Sequence, residues 1–376
     1  MTTDFGIYVH TPWCRTRCPY CAFNVFLHHS SDYDRWQQGI LAAWESVSKR
    51  MQGTAHSLYF GGGTPSLAPP KVVGEIVEAL PLQAGAEITL EVNPGTIDAA
   101  GLQAFHNVGV NRVSLGIQTF HSGHAKTLGR GHTAMQAQEL LQLVPAIGFN
   151  SWSMDLMFAL PNQTESNLRQ DLEMMGHFQP PHVSIYGLSI EPGTPFETAH
   201  KSGRLNLPTA DRWRNMYDLV VEGLEAMGLG RYEVSNFARP GHRAVHNEQV
   251  WRGGYYAGLG PGSHGHLLDG TRTLGIPTIE EWFVDPHPME SMPSKKEAAI
   301  DYLLSSLRHI NGSNRALLRQ RTGHDVSQKD IDNLCKQSLL VDRNDHMRLT
   351  HDAFPLADRI LCTLIDGIAP TNSLDV

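Results

Sequence analysis

Apolar residues in the first half of the chain recur in short runs that alternate with longer stretches of helical periodicity. Six runs rich in β-branched and aromatic residues predict strands at 6–10, 56–60, 87–92, 112–118, 152–159 and 182–188. Most of these runs are apolar at successive positions, as in strands covered on both faces. The stretches between them predict helices at 32–51, 69–80, 98–107, 133–147 and 164–177, with Thr133 and Thr164 as candidate N-caps.

This alternation predicts an α/β fold in which crossover helices join parallel strands. Such units either close into a barrel or open into a doubly wound sheet, and hydrophobic periodicity fits both. In each architecture ligands bind at the carboxyl ends of the strands. Polar residues at those ends are therefore the candidate functional residues.

The regular alternation stops near Pro208. A helix (209–227) and a strand-like run (232–238) lead into the glycine-rich segment 253–266, and the proline-rich, charged segment 285–296 is typical of a linker. The remaining pattern predicts a small α+β domain similar to a winged helix, with helices near 297–309, 313–322 and 327–337, a hairpin at 339–350 and a last helix. Because seven Lys or Arg face only five Asp or Glu over 313–350, we expect packing there rather than DNA binding.

Composition narrows the class of protein. The 376 residues are 41% hydrophobic and 18% charged, which is typical of globular chains, and the formal charge of −8 argues against a general nucleic-acid surface. No apolar run reaches the roughly 18–20 residues of a membrane span, and the first residues do not resemble a secretory signal. We therefore expect a cytoplasmic protein without an integral membrane segment, whose thiols stay reduced.

Three of the five cysteines, Cys14, Cys18 and Cys21, form C-x3-C-x2-C directly after the first predicted strand. In a reducing compartment such a cluster indicates a metal site. Zinc needs a fourth ligand, for which His10 and His28 are candidates. Three thiolates on a four-iron cluster would instead leave one iron open to a substrate or cofactor. The two other cysteines, Cys335 and Cys362, are expected to be buried core thiols.

Further polar residues lie in or just after predicted strands. Gly61–Gly63 follow the second strand, where absent side chains allow close approach of a ligand. Four residues, Glu91, Gln118, Arg130 and Asp155, stand where a buried sheet would normally place apolar side chains. Burying them unpaired costs several kcal/mol, so they either pair with one another or bind a ligand that carries an amine, a carboxylate and hydroxyls.

The cysteine spacing after the first strand, followed by "GGGTPS" at 61–66, resembles the radical S-adenosylmethionine (SAM) proteins. The resemblance implies a partial (β/α)6 TIM-like barrel with a [4Fe–4S] cluster on the three cysteines. It also implies that the amino and carboxylate groups of SAM chelate the open iron, and that an electron from the cluster cleaves SAM to a 5′-deoxyadenosyl radical. The implied SAM pocket contains Tyr8, Gly62, Gly63, Thr64, Glu91, Gln118, Arg130, Asp155 and Ser189.

The motifs "YVHTPWCRTRCPYCAFN", "LGIQTF", "LGRGH", "MDLMFALP", "LSIEPGTPF", "YEVSNFARPGH" and "HNEQVW" are similar to the HemN/HemW branch, in this order. HemN enzymes, the oxygen-independent coproporphyrinogen III dehydrogenases, carry a fourth cysteine where this chain has Phe23, and a long N-terminal extension. Ala22 stands where the branch usually has Asp. The likeness is greater to HemW, the haem chaperones, in which an H-N-x-x-Y-W motif is associated with haem. Here that motif implicates His246 and Trp251, with Val250 in place of Tyr, and His264 and His266 are second candidates.

The resemblance thus implies a haem chaperone with SAM and haem as ligands, recipient haemoproteins and a low-potential electron donor as partners, and a possible homodimer. The alternatives are a coproporphyrinogen III dehydrogenase, a radical SAM enzyme acting on another tetrapyrrole, and a structural zinc protein. Both reductive cleavage of SAM and simple retention of SAM fit these residues. The predicted division is a radical SAM core (1–240), a connecting segment (241–292) and a C-terminal domain (293–376).

Overall fold

The elements formed by this pattern are described by a computed structural model over residues 4–27 and 32–371. The strands are β1 (Phe5–Thr11), β2 (Trp13–Cys14), β3 (Phe26–Leu27), β4 (Ala55–Gly62), β5 (Leu82–Val92), β6 (Arg112–Gln118), β7 (Ser151–Phe158), β8 (His182–Gly187), β9 (Gly230–Arg231), β10 (Asn236–Ala238), β11 (Tyr255–Leu259), β12 (His264–His266), β13 (Arg272–Leu274), β14 (Met289–Ser291), β15 (Ser313–Asn314), β16 (His324–Asp325), β17 (Leu340–Arg343), β18 (His346–Leu349) and β19 (Ala369–Pro370).

The helices are α1 (Tyr33–Ser48), α2 (Pro70–Ala79), α3 (Ala99–Asn107), α4 (Ser122–Thr127), α5 (Ala134–Ile147), α6 (Glu165–Phe178), α7 (Pro195–Lys201), α8 (Ala210–Ala226), α9 (Val245–Trp251), α10 (Ile279–Val284), α11 (Lys295–Ser306), α12 (Arg315–Thr322), α13 (Gln328–Lys336) and α14 (Ala357–Asp366). Short 3-10 helices cover Pro65–Leu67 and His351–Leu356. None of the helices in the described ranges is long and apolar enough to cross a membrane.

Capping side chains fix the helix starts that the sequence predicted. Thr133 accepts a hydrogen bond from the backbone N–H of Gln136 at 3.2 Å, and the Gln136 side chain accepts one from the Thr133 N–H at 2.9 Å. Thr164 and Asn167 form the same reciprocal pair. Each capping box satisfies two backbone donors at a helix start, which is why α5 and α6 begin where predicted.

The six predicted strands form the parallel centre of a twelve-stranded sheet with the order β14-β13-β12-β11-β1-β4-β5-β6-β7-β8-β10-β9. Crossover helices connect the central strands, which confirms the α/β prediction. A seventh parallel strand, β11, pairs with β1 from Phe5↔Tyr255 to Val9↔Leu259. The sequence did not predict it, because β11 lies in the segment interpreted only as glycine-rich.

The last part of the chain forms helices α11–α14 and a small sheet in the order β15-β18-β17, as predicted for an α+β domain. Two local predictions were wrong. The strand-like run 232–238 is a strand only at Asn236–Ala238, and the segment interpreted as a linker contains β14 at the edge of the main sheet. Because β11–β14 extend that sheet, residues 255–291 are continuous with its core, and the three-part division stays a prediction.

Buried apolar residues from all parts of the chain form one large core, including Trp36 and Trp282, which are fully buried. Cys335 is partly buried against it, whereas Cys362 is exposed, which corrects its prediction as a core thiol. In α14 the buried face is formed by Ile360, Leu361 and Leu364. Residue 362 is about 100° around the helix from 361, so its side chain points to solvent.

Candidate functional site

The three clustered cysteines lie on the loop that follows β1. Cys14 ends β2, which pairs with β3 (Cys14↔Leu27), so the ends of the cysteine loop are held together. The backbone N–H of Cys21 donates to the carbonyl of Cys18 at 3.1 Å. All three thiols are free and partly exposed. The loop thus presents three potential thiolate ligands at the carboxyl edge of the sheet.

The glycines after β4 attach this loop to the sheet. Gly63 N–H donates to Thr11 O at 2.7 Å, and Thr64 N–H donates to Trp13 O at 2.8 Å. A Cβ on Gly63 would lie 2.6 Å from Trp13 O, so only glycine allows this close backbone approach. The Thr64 hydroxyl then donates to the sulfur of Cys14 at 3.5 Å. On Gly62, at φ 104°, a Cβ would clash with the ring of His10.

Arg130 connects the cysteine loop to two strands. Its Nη1 lies 3.7 Å from Cys18 Sγ, and its Nη2 donates to Gly116 O at 2.8 Å and to Asn93 Oδ1. The Asn93 amide also donates to Thr64 Oγ1 at 3.1 Å. Asn93 was not predicted, although it follows strand β5 directly, which is the positional signal that identified its neighbours.

Burial raises the pKa of the Cys14 and Cys21 thiols, with the Thr64 hydroxyl opposing this at Cys14. These sulfurs therefore need a bound cation to stay deprotonated at neutral pH. In the described residues, no three His, Cys, Asp or Glu side chains converge as ligands of a single metal ion. A four-iron cluster binds each thiolate at a separate iron, so its ligands need not converge. His10, one candidate fourth zinc ligand, bonds Asn24 O through Nε2 at 2.8 Å. The other, His28, lies outside the described residues.

Two buried carboxyl groups follow along the sheet. Tyr59 OH donates to Glu91 Oε1 at 2.8 Å, yet burial raises the pKa of Glu91 to about 7. Asp155 accepts from Ser114 at 2.9 Å and from Ser153 at 3.1 Å, and burial likewise raises its pKa. Glu91, Asp155 and Arg130 thus bond to other residues and not to one another. This arrangement differs from the alternative in which these residues pair among themselves.

Two more residues of the predicted pocket line its rim. Gln118 ends β6 at φ 68°, a left-handed conformation that costs energy for a residue with a side chain. The Ser189 hydroxyl donates to Glu191 Oε1 at 2.8 Å. Tyr8 lies behind the site: its hydroxyl bonds His10 Nδ1 at 3.1 Å, and its ring stacks on Tyr59.

A cavity of about 1150 Å³ joins these groups. It is lined by every predicted cluster and SAM residue except Tyr8, namely Cys14, Cys18, Cys21, Gly62, Gly63, Thr64, Glu91, Gln118, Arg130, Asp155 and Ser189. Ligand pockets usually measure about 300–1000 Å³, so this one has room for more than one small ligand.

The far wall of the cavity consists of residues that sequence reasoning missed. Tyr186 near the end of β8 is 43% exposed, and Trp213 from α8 packs on Phe158 and Tyr217. The C-terminal part adds Arg308 and further residues of 354–358. Trp213 lies on α8 and Arg308 in the turn after α11, both far along the chain, and no local pattern marks them.

The residues of the predicted haem motif are arranged differently from the SAM residues. His246 is 5% exposed, bonds Ser57 Oγ through Nδ1 at 3.0 Å and packs against Tyr59, and burial lowers its pKa to about 3. Asn247 lines the cavity, whereas His246 and Trp251 do not. Trp251 lies under the guanidinium of Arg308, 5.2 Å from its ring centre. The second candidates, His264 and His266, lie on β12 and do not line the cavity.

A buried hydrogen-bonded chain leads from the cavity into the protein. Asp155 accepts from Ser153, whose hydroxyl bonds His182 Nδ1 at 2.7 Å, and His182 Nε2 bonds Tyr232 OH at 2.8 Å. Burial holds the pKa of His182 far below its usual value, so the imidazole is neutral. These hydrogen bonds hold the Asp155 carboxyl group in one orientation.

Comparisons with known proteins agree with this geometry. The model of the radical SAM superfamily matches residues 8–175. The heme chaperone HemW of Escherichia coli is 32% identical over 358 residues, which cover 92% of this chain and 94% of that protein. The mitochondrial radical S-adenosyl methionine domain-containing protein 1 of Danio rerio is 37% identical over 270 residues, covering 70% of this chain and 61% of its own length.

The fold has a solved counterpart. The structure of coproporphyrinogen III oxidase (HemN) from Escherichia coli, described as a radical SAM enzyme, superposes with a TM-score of 0.80 at 18% identity. The match covers 96% of this chain and 90% of that one, so it includes the C-terminal part as well as the parallel strands.

Proposed function

Because the chain belongs to the radical SAM superfamily, in its HemN/HemW branch, we propose that it is a haem chaperone that holds a [4Fe–4S] cluster and SAM. Two observations support this proposal. Three free thiols open onto the same cavity as the polar residues of the predicted SAM pocket. The HemW relative matches almost from end to end, so the similarity is not confined to a shared core. The cofactor assignment rests on the first observation, the three thiols that open onto the cavity.

The residues present fit the cluster. Burial raises the pKa of the Cys14 and Cys21 thiols, which therefore need metal to become thiolates. Thr64 places a hydroxyl donor against Cys14, and Arg130 places a positive charge against Cys18. Bound there, the cluster would supply a low-potential electron and one free coordination position. An external electron donor is required as a partner.

The residues beyond the thiols fit SAM. Glu91 and Asp155 offer acceptors for an amine and for ribose hydroxyls, and Gln118 and Ser189 both donate and accept. Gly62 and Gly63 line the cavity at the end of β4. Arg130 is already bonded to Gly116 and Asn93, so its charge is fixed in place before a ligand arrives.

Haem is the proposed cargo, delivered to recipient haemoproteins. The sequence motif assigns the iron to His246 and the macrocycle to Trp251. With Nδ1 bonded to Ser57, the Nε2 atom of His246 is the one that would bind iron. Since the ring is almost fully buried, this ligation requires α9 to move. A homodimer is a further prediction of the sequence.

Coproporphyrinogen III dehydrogenation is the second candidate. The cavity favours it, because it has space beside SAM for a tetrapyrrole substrate. Phe23, 64% exposed on the cavity wall, stands against it, since a hydrophobic ring takes the position of the fourth cysteine of HemN enzymes.

One anaerobic experiment tests both functions. The purified chain is reconstituted with iron and sulfide, analysed for iron and zinc, reduced with SAM present, and assayed for coproporphyrinogen III consumption and for haem transfer to an apo-haemoprotein. We expect iron, haem transfer and no loss of coproporphyrinogen III. Consumption of coproporphyrinogen III would overturn the chaperone proposal, and zinc without iron would overturn the cofactor assignment.

A further inference from the structure

The large cavity has two chemically different ends. Along the sheet, the thiols and the predicted SAM residues other than Ser189 lie at β1 and β4 to β7, whereas the wall at β8 and beyond contains none of the cluster ligands. We define this second part as the β8 wall: Tyr186, Trp213, Asn247 and Arg308. None of the functions assigned above uses Tyr186, Trp213 or Arg308.

The β8 wall offers aromatic surface to a ligand. Tyr186 is 43% exposed and lines the cavity, so part of its ring is accessible to a ligand there. Trp213 packs closely on Gly187 at the end of the same strand, where a Cβ would lie only 3.1 Å from the indole. The indole also stacks on Tyr217, with ring centres 5.6 Å apart and an interplanar angle of 11°. The indole is therefore held rigidly, as a platform for a flat ring system.

Arg308 provides a cation on the same side. The next residue, His309, forms a β-bridge with Glu233, and Ser235 accepts a hydrogen bond from the N–H of Ile185 on β8. These contacts attach the segment of Arg308 to the β8 side of the sheet, and Arg308 and Tyr186 both line the cavity. The guanidinium is supported from behind by the ring of Trp251. Its carboxylate partner is Asp358, at 3.3 Å and 87% exposed, which a ligand carboxylate can replace at little cost.

Apart from Arg17, which lies on the cysteine loop, the other charged residues of the cavity have hydrogen-bond partners. Arg130 is bonded to Asn93 and Gly116, and Arg15 donates to Gly95 O at 2.8 Å. Glu191 accepts from Ser189, and Glu91 and Asp155 belong to the SAM side. Arg308 is thus the cation of the β8 wall, and its exposed ion pair with Asp358 is the contact that a ligand carboxylate can replace.

From these contacts we infer that the β8 wall binds a planar, carboxylate-bearing macrocycle, which stacks on Trp213 and Tyr186 and places a carboxylate on Arg308. This inference rests on the proposed function and locates the haem cargo. It also assigns a role to the "HNEQVW" motif that does not need iron ligation: Asn247 lines the site, and Trp251 supports Arg308.

The test is a titration of the reconstituted full chain with three porphyrins, followed by Soret absorbance: haem, metal-free protoporphyrin IX and protoporphyrin IX dimethyl ester. A site that recognises the ring and its carboxylates binds the metal-free porphyrin about as well as haem. Blocking the carboxylates as esters should weaken binding about tenfold, the loss expected for a hydrogen bond to a charged group. A site built on an axial ligand would require the iron instead.

Matched variants complete the test. Arg308→Gln should weaken haem binding about tenfold, Arg308→Lys less, and Trp213→Leu about fivefold through lost stacking. Arg214→Gln is the control, since Arg214 neighbours Trp213 in sequence but pairs with Asp218 and does not line the cavity. SAM affinity should stay near wild type in all four variants, and melting temperature in the three arginine variants. Trp213→Leu also loses packing against Phe158 and Tyr217, so its melting temperature should fall, and its haem affinity is measured well below that temperature.

The outcomes separate the two levels of the proposal. Unchanged haem affinity in both Arg308→Gln and Trp213→Leu, or no binding of metal-free porphyrin, would overturn the β8 wall as the site while leaving the chaperone function in place. A wild-type chain that binds neither haem nor porphyrin would overturn the chaperone function itself.

Discussion

The guanidinium of Arg130 lies 3.7 Å from the sulfur of Cys18, so a fixed positive charge adjoins one of the cluster thiols. Such a charge stabilises the more negative, reduced form of a bound cluster. We predict that Arg130→Gln lowers the cluster's reduction potential and that Arg130→Lys lowers it less. Redox titration followed by electron paramagnetic resonance measures both. Equal potentials in wild type and Arg130→Gln would show that the charge has no electronic role.

Each clustered cysteine should be needed for iron. Replacing Cys14, Cys18 or Cys21 by Ser removes one of three thiolates. We expect the iron content after reconstitution to fall from about four atoms per chain to a small fraction of that number. Cys335→Ser is the matched control, because that thiol packs against the apolar core instead. Retention of full iron content in any of the three loop variants would remove that cysteine from the ligand set.

Gly63 should tolerate no side chain. Its Cβ would meet backbone oxygens of Thr11 and Trp13 at 2.9 and 2.6 Å, and backbone atoms have little freedom to yield. We predict that Gly63→Ala destabilises the fold by about 1–3 kcal/mol and lowers iron content. Gly230→Ala, whose nearest neighbour would lie 3.8 Å away, should change neither. Denaturant unfolding and iron analysis compare the two.

Glu91 should make stability fall with rising pH. Its pKa is about 7 in the folded chain against 4.5 in the unfolded one, because burial favours the protonated form. The folded state therefore binds the extra proton between these values, and its advantage is full below pH 4.5 and lost as pH passes 7. As pH rises through this window, the unfolding free energy of SAM-free wild type should fall by about 3 kcal/mol relative to that of Glu91→Gln.

His246 should have the opposite dependence. Its folded pKa is about 3, well below the usual 6.5, so the imidazole must stay neutral and stability is lost as pH falls below 6.5. From pH 6.5 to 5 the wild type should lose about 2 kcal/mol more than His246→Gln. Equal losses would mean that the ring is charged in the fold, and so placed differently from its contact with Ser57.

The sequence predicted the sheet well because the sheet depends on local patterns, while the metal site on the three cysteines stays a prediction. Apolar runs and capping residues such as Thr133 fix the elements, and C-x3-C-x2-C places three sulfurs on one loop whatever the rest of the chain does. Polar residues at strand ends are easily recognised in the sequence, and the structure brings three of them, Glu91, Gln118 and Asp155, to one cavity.

The parts of the fold and of the cavity that the sequence did not predict depend on contacts between distant segments. Strand β11 consists of a few residues among glycines, and only its pairing with β1 makes it a strand. His246 fitted a ligand motif in sequence, but α9 turns its ring towards Ser57 while Asn247 faces the cavity. Trp213 reaches the site from α8 and Arg308 from the turn after α11, and no local pattern encodes how these segments dock.

The pairing of β1 with β11 also sets the order in which the protein is completed. Phe5 and Tyr255 are partners although 250 residues separate them, so during synthesis the outer edge of β1 stays unpaired until most of the chain has left the ribosome. Contacts of such sequence separation slow folding, and open strand edges invite aggregation. A nascent fragment ending at residue 240 would thus be aggregation-prone, and the C-terminal half acts as the closing edge of the N-terminal one.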